Sequence, residues 1–158
     1  MKIPRYVSIT VSFAIVIAVL SLPFIFNTKK LSTAITIAPI SFTHSLLIGR
    51  QEITVAFAMT PFEQQQGLSG TKNLSVDHGM LFIFEKPIIP SFWMKDMNYP
   101  LDIIWIDSNK KIIGVSENLD PKTYPQTFAP ASNILYVLEV PAGFYRTNYL
   151  KMGDTISF

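Results

Sequence analysis

From His44 to the C-terminus the chain is written as a succession of short apolar runs. These are HSLLI, EITVAFA, GMLFIF, SFWM, LDIIWID, KIIGVS, NILYVLEV and DTISF, separated by segments carrying Pro, Gly and Asn. Runs of this length, rich in β-branched and aromatic residues, match strands, and their spacing suits a sandwich or barrel. Apolar residues at helical spacing are scarce. The expected fold is therefore all-β, an antiparallel β sandwich or barrel with one short helix.

That helix is written in TPFEQQQGL. Thr60 is placed as the N-cap, Pro61 as the first helical residue and Glu63 as the partner that closes a capping box. Gly67 can end the helix in the left-handed conformation, with Leu68 folding back toward Phe62. Fewer than two turns do not hold alone, so packing must hold them, and Phe62 and Leu68 are expected to face the core.

Ahead of this domain, Tyr6–Phe26 carries no charged residue and is long enough to cross a bilayer as a helix. Residues 1–30 thus read as an N-terminal membrane anchor or signal segment, 31–43 as a tether and 44–158 as the folded domain. Lys2, Arg5 and the amino terminus slightly outweigh Lys29 and Lys30, which favours an exported, extracytoplasmic domain on a single-pass anchor. All 11 acidic residues follow position 50, whereas four of the 13 Lys and Arg residues flank the apolar segment. Beyond the leader, nine basic residues face 11 acidic ones, a net charge of −2. The excess positive charge belongs to the leader, and nucleic acid is not an expected partner. The chain has no cysteine, so thiol catalysis, disulfides and thiolate zinc sites are ruled out. The two histidines, His44 and His78, have no second histidine at ligand spacing, and the calcium-loop pattern is absent. No metal or cofactor is indicated.

The stretch FWMKDMNYPLDIIWID, Phe92 to Asp107, places two charges in an apolar, strand-like passage. With DMNYP as a reversing loop, a wide hairpin brings Lys95 near Asp102. One reading is a structural ion pair, since a buried lysine needs a carboxylate beside it. The other is a ligand site formed by Trp93, Met94, Lys95, Asp102 and Glu139, the last breaking the apolar alternation of ILYVLEV. Two carboxyl groups in unlike surroundings could also divide acid and base roles. Gly67-Leu-Ser-Gly70 has the look of a nucleophile elbow, but it follows a helix cap and lacks the required strand.

Three segments, GLSGTKNL, GMLFIF and FWMKDMNYPLDIIWID, are followed by YVLEVPAG and MGD. In this order and spacing they resemble the DUF192 family, also called UPF0127, over residues 44–158. Gly79, Met80, Trp93, Met94, Lys95, Pro100, Leu101, Asp102, Glu139, Gly153 and Asp154 match the family's pattern. Gln64 stands where relatives usually carry arginine, Ser69 and Thr71 replace a methionine and a second arginine, and Asp96-Met97 replaces Asn-Thr. If those arginines bind an anion in relatives, this chain has lost that capacity or moved it to Lys72. The resemblance implies a jelly-roll-like β sandwich and no established activity. The functional expectation is a membrane-tethered binding module for a small molecule, glycan or protein. The alternative is an acid–base enzyme on an envelope glycan or small molecule using Lys95, Asp102 and Glu139.

Overall fold

The computed structural model describes residues 39–158, so the segment read as anchor or signal lies outside the described residues. Among the described residues no helix is long and apolar enough to cross a membrane. The domain is mostly β, with few helices. Its strands are β1 (His44–Ile48), β2 (Gln51–Ala58), β3 (His78–Ile88), β4 (Phe92–Trp93), β5 (Leu101–Ile106), β6 (Ile112–Leu119), β7 (Thr127–Phe128), β8 (Ile134–Pro141) and β9 (Ile156–Ser157). Helix α1 spans Pro61–Gln66 and α2 spans Phe144–Thr147.

Seven strands form one sheet in the order β6-β5-β8-β3-β2-β1-β9, and β4 pairs with β7 in a separate ribbon. Strands β1 and β2 form a tight hairpin, with Ile48 opposite Gln51 and Gly49 at φ +58, a region that only glycine enters freely. The expectation of antiparallel pairing throughout needs one correction. Strands β2 and β3 are parallel, with Thr54 opposite His78 and Ala58 opposite Phe82. A parallel pair requires a crossover, and residues 59–77, including α1, supply it.

The sheet curls until its two edges meet. Lys111 bridges Thr155, Ile112 N–H donates to the Asp154 carbonyl (2.8 Å) and Ile156 N–H donates to the Lys110 carbonyl (2.9 Å). These bonds join the start of β6 to β9 and turn the sheet into a half-barrel. Its inner face buries Leu46, Val55, Leu81, Ile104, Leu138 and Val140 among others. The outer face buries Met80, Phe82, Ile103, Trp105 and Val137 beneath the β4–β7 ribbon and the segment after α1. Every residue of β5 is buried.

The short helix carries the capping box read from its sequence. Thr60 Oγ1 accepts from Glu63 N–H, and a Glu63 carboxylate oxygen accepts from Thr60 N–H. Leu68 is in the core, but Phe62 is 59% exposed, contrary to expectation. With α1 laid along the surface and ended at Gly67, burial falls to the residue beyond the cap instead of the helix itself.

The ion pair expected between Lys95 and Asp102 is absent. Among the described residues the ion-pair contacts are His78–Asp77 and Arg146–Glu117. Asp102 points to the inner face, fully buried, and both its oxygens accept backbone hydrogen bonds. Oδ1 takes Asn118 N–H (2.8 Å) and Oδ2 takes Tyr145 N–H (3.0 Å). Asn118 belongs to a bulge in β6, where two residues oppose Asp102 between the Leu101–Leu119 and Ile103–Ser116 pairs. Tyr145 lies in the first turn of α2, whose own N-cap is a glycine with no side chain to offer. The carboxylate therefore fastens a bulge and a helix start to the central strand. Replacing it with the amide, Asp102→Asn, leaves one of these N–H groups facing another donor. We expect a loss of ~1–3 kcal/mol in urea denaturation. Lys95→Ala, an exposed site, should change stability by less than ~0.5 kcal/mol, and the two effects should add. Non-additivity in the double variant would restore the ion pair.

Candidate functional site

The outer face of the half-barrel carries a recess built from three local structures. The first is the end of α1, where Gly67 adopts φ +49 and the chain turns through Leu68 and Ser69. The second is the loop after β4. It is stitched to that turn by Ser69 Oγ donating to the Lys95 carbonyl (2.9 Å), Gly70 N–H to the Asp96 carbonyl (2.8 Å) and Asn98 Nδ2 to the Thr71 carbonyl (2.7 Å). The third is the β4–β7 ribbon, in which Phe92 pairs with Phe128 and Trp93 with Thr127.

Neighbouring residues of an extended strand point opposite ways. Phe92 turns inward, edge-on to Phe82 (4.9 Å) and Trp105 (5.6 Å), while Trp93 turns outward and stays 46% exposed. Between the α1 turn and the ribbon is a half-open space of about 250 Å3. Gln64–Ser69 line one side, Phe84 and Pro90–Trp93 the other, and Phe82 and Glu139 also contribute to its lining.

Glu139 lies on β8 between Met80 of β3 and Ile103 of β5. Its side chain is 6% exposed, and no protein group hydrogen-bonds to Oε2. Burial pushes its carboxyl up to about 8, so at neutral pH it is held mainly as the acid. Gly67 lies close beside it. A Cβ at that position would stand 3.3 Å from Phe82 Cζ and 3.8 Å from Glu139 Oε2. The Tyr99 phenol, bonded to Thr71 Oγ1, is also raised, first by burial and further by the nearby Glu139 charge.

The structure brings together some of the residues singled out in the sequence and separates others. Trp93 and Glu139 line this recess. Lys95 is exposed and lines a neighbouring one with Trp93, Phe62 and Asp96. Met94 is core and Asp102 faces the opposite side of the sheet, and neither lines a recess. Lys95, Asp102 and Glu139 therefore do not form one acid–base group. The glutamines of α1, Ser91 and the phenylalanines Phe82, Phe84 and Phe92 were missed, because each looks like ordinary cap, loop or core. The GLSG turn following the cap was the local signal. Gln64 donates to the Ile83 carbonyl (3.0 Å), and Lys72 lines neither recess. Among the described residues no group of three or more His, Asp or Glu is arranged to hold a metal ion.

The raised Glu139 carboxyl sets a sign for stability against pH. The unfolded chain gives up this proton near pH 4.5 and the native state near 8, so the native state binds more protons in between. The stabilising contribution is complete below the lower value and is lost as pH rises through the upper one. Relative to Glu139→Gln, whose neutral amide has nothing to ionise, the wild type should lose melting temperature across that window. The variant should be the more stable above about pH 8. Parallel melting curves for the two proteins would contradict this.

A UPF0127 protein of Thermococcus kodakarensis is 31% identical over 108 residues, covering 66% of this chain and 64% of that relative. One from Thermococcus gammatolerans is also 31% identical over 108 residues, covering 66% and 65%. The match thus spans just under two thirds of either relative's length. A solved structure from Sinorhizobium meliloti 1021, described as a proposed transcription regulator, aligns with a TM-score of 0.70 at 29% identity. It covers 76% of this chain and 97% of that one. A protein of unknown function from Novosphingobium aromaticivorans DSM 12444 aligns with a TM-score of 0.71 at 25% identity, covering 77% and 94%. Residues 44–158 match DUF192, described as Uncharacterized ACR, COG1430, and the chain belongs to that family.

Proposed function

We propose that this protein is a non-catalytic binding module, held at a membrane by Tyr6–Phe26 with its domain on the extracytoplasmic side. We read the half-barrel and its covering ribbon as a jelly-roll-like sandwich whose ligand site is the outer recess. Trp93 serves as its wall and Glu139 as its polar anchor. Lys95 stands at the neighbouring recess, within reach of a longer ligand, while Met94 and Asp102 support the site from within the fold.

One observation carries this reading: a buried carboxyl without a protein partner contributes to a recess walled by aromatic side chains. Buried polar groups in folded proteins are almost always hydrogen-bonded, and an orphan in a concavity points to a ligand. The anchor rests on the uncharged length of Tyr6–Phe26 and its flanking lysines and arginine. The regulator description of the Sinorhizobium protein does not extend to this chain, whose residues after the leader carry more acid than base.

The purified full-length chain, incubated with the small-molecule fraction of a cell-envelope extract and washed, should retain a compound that mass spectrometry recovers unchanged. Trp93→Ala should lose that compound while its melting temperature stays within a few degrees. Undiminished retention by Trp93→Ala would move the site elsewhere, and recovery of a converted product would make the protein an enzyme.

A further inference from the structure

We infer that the ligand of the outer recess is an organic cation, an amine or quaternary ammonium, whose charged head sits among Phe82, Phe84, Phe92 and Trp93 against the Glu139 carboxyl group; the inference rests on the binding reading above.

Four features of the recess select this class. Among the described residues, Glu139 is the one Asp, Glu, Lys, Arg or His side chain that lines it. An anion would meet a carboxyl group there with no basic side chain to balance it. Four aromatic side chains line the same space, and aromatic surroundings attract ammonium groups through the ring quadrupole. Oε2 has no hydrogen-bond donor from the protein, so ionising this buried group calls for a cation or donor brought in beside it. Finally, Gly67 places no side chain beside Oε2, where a Cβ would stand 3.8 Å from that atom.

Size narrows the class further. The half-open space of about 250 Å3 suits a small ammonium head with a few carbons. A tail leaving past Trp93 would pass the neighbouring recess, where Lys95 and Asp96 carry opposite charges.

The groups around Glu139 leave its proton as the one to be displaced. Strands β3 and β5 present Met80, Phe82 and Ile103, and the α1 turn presents glutamines and Gly67. The loop before β5 contributes the Tyr99 phenol, the titratable group that responds to Glu139. A cation bound against the carboxyl favours its ionised form, so binding at neutral pH expels the proton to solvent. A neutral hydroxylated ligand accepting from the protonated acid would leave that proton in place. Proton release therefore separates the two classes.

The test is calorimetry on the full-length chain in an uncharged polyoxyethylene detergent at pH 7. Probes are n-butylammonium, tetramethylammonium, the neutral isostere n-butanol and methyl glucoside, each run in two buffers of different ionisation enthalpy. The cations should bind about tenfold more tightly than n-butanol and release close to one proton per cation bound. Glu139→Gln should remove both the preference and the proton release while n-butanol still binds. Tighter binding of n-butanol or methyl glucoside, without proton release, would overturn the cation and keep the recess as a site for neutral ligands. Failure of all four probes, while an extract compound is still retained through Trp93, would also overturn the cation. Failure of both would remove the binding site itself.

Discussion

A sheet covered on both faces leaves no water for a polar side chain on its central strands, so any such group must find a partner inside the protein or stay neutral. Strands β5 and β8 are in this position, and each carries one carboxyl group. Asp102 faces inward and is satisfied twice over by backbone N–H groups from β6 and α2. Glu139 faces outward, leaves one oxygen without a protein partner and is held near neutrality by burial. Similar residues on adjoining strands thus take opposite parts, one fastening the fold and the other left with an unpartnered oxygen.

The recess over Glu139 depends on short local structures locked by unremarkable bonds. The capping box fixes where α1 begins, and Gly67 fixes where it ends. The turn beyond it is tied by three hydrogen bonds to the loop after β4, which keeps the two sides of the recess in register. Gln64 is committed to the β3 backbone and serves as a brace. With Lys72 also away from the recess, no basic side chain lies among the lining residues beside the acid, and the proposed preference for a cation rests on that.

Much of this was readable from residues alone. The strands were legible because alternation and punctuation are local, and the runs HSLLI and LDIIWID coincide with strands to within a residue. The capping box was legible because its chemistry spans four residues. Glu139 showed itself by breaking an apolar strand. The parallel β2–β3 pair was hidden, since nothing in residues 59–77 states which side of β2 the crossover returns to. The Lys95–Asp102 pairing failed because it assigned Asp102 a side-chain partner. Its partners are backbone amides at a bulge and a helix start, which leave no mark in residue type. Phe62 misled in the same way: its apolar character promised burial, but the cap ends the helix before that face reaches the core.

The account turns on the state of one carboxyl group, and the side-chain carbon of Glu139 reports it directly. With glutamate labelled by carbon-13 and the resonance assigned by its loss in Glu139→Gln, a pH titration of the native chain should show a midpoint near 8. A midpoint near 4.5, the ordinary value for a solvated glutamate, would mean that the group is hydrated and charged, and would contradict the proposed anchor.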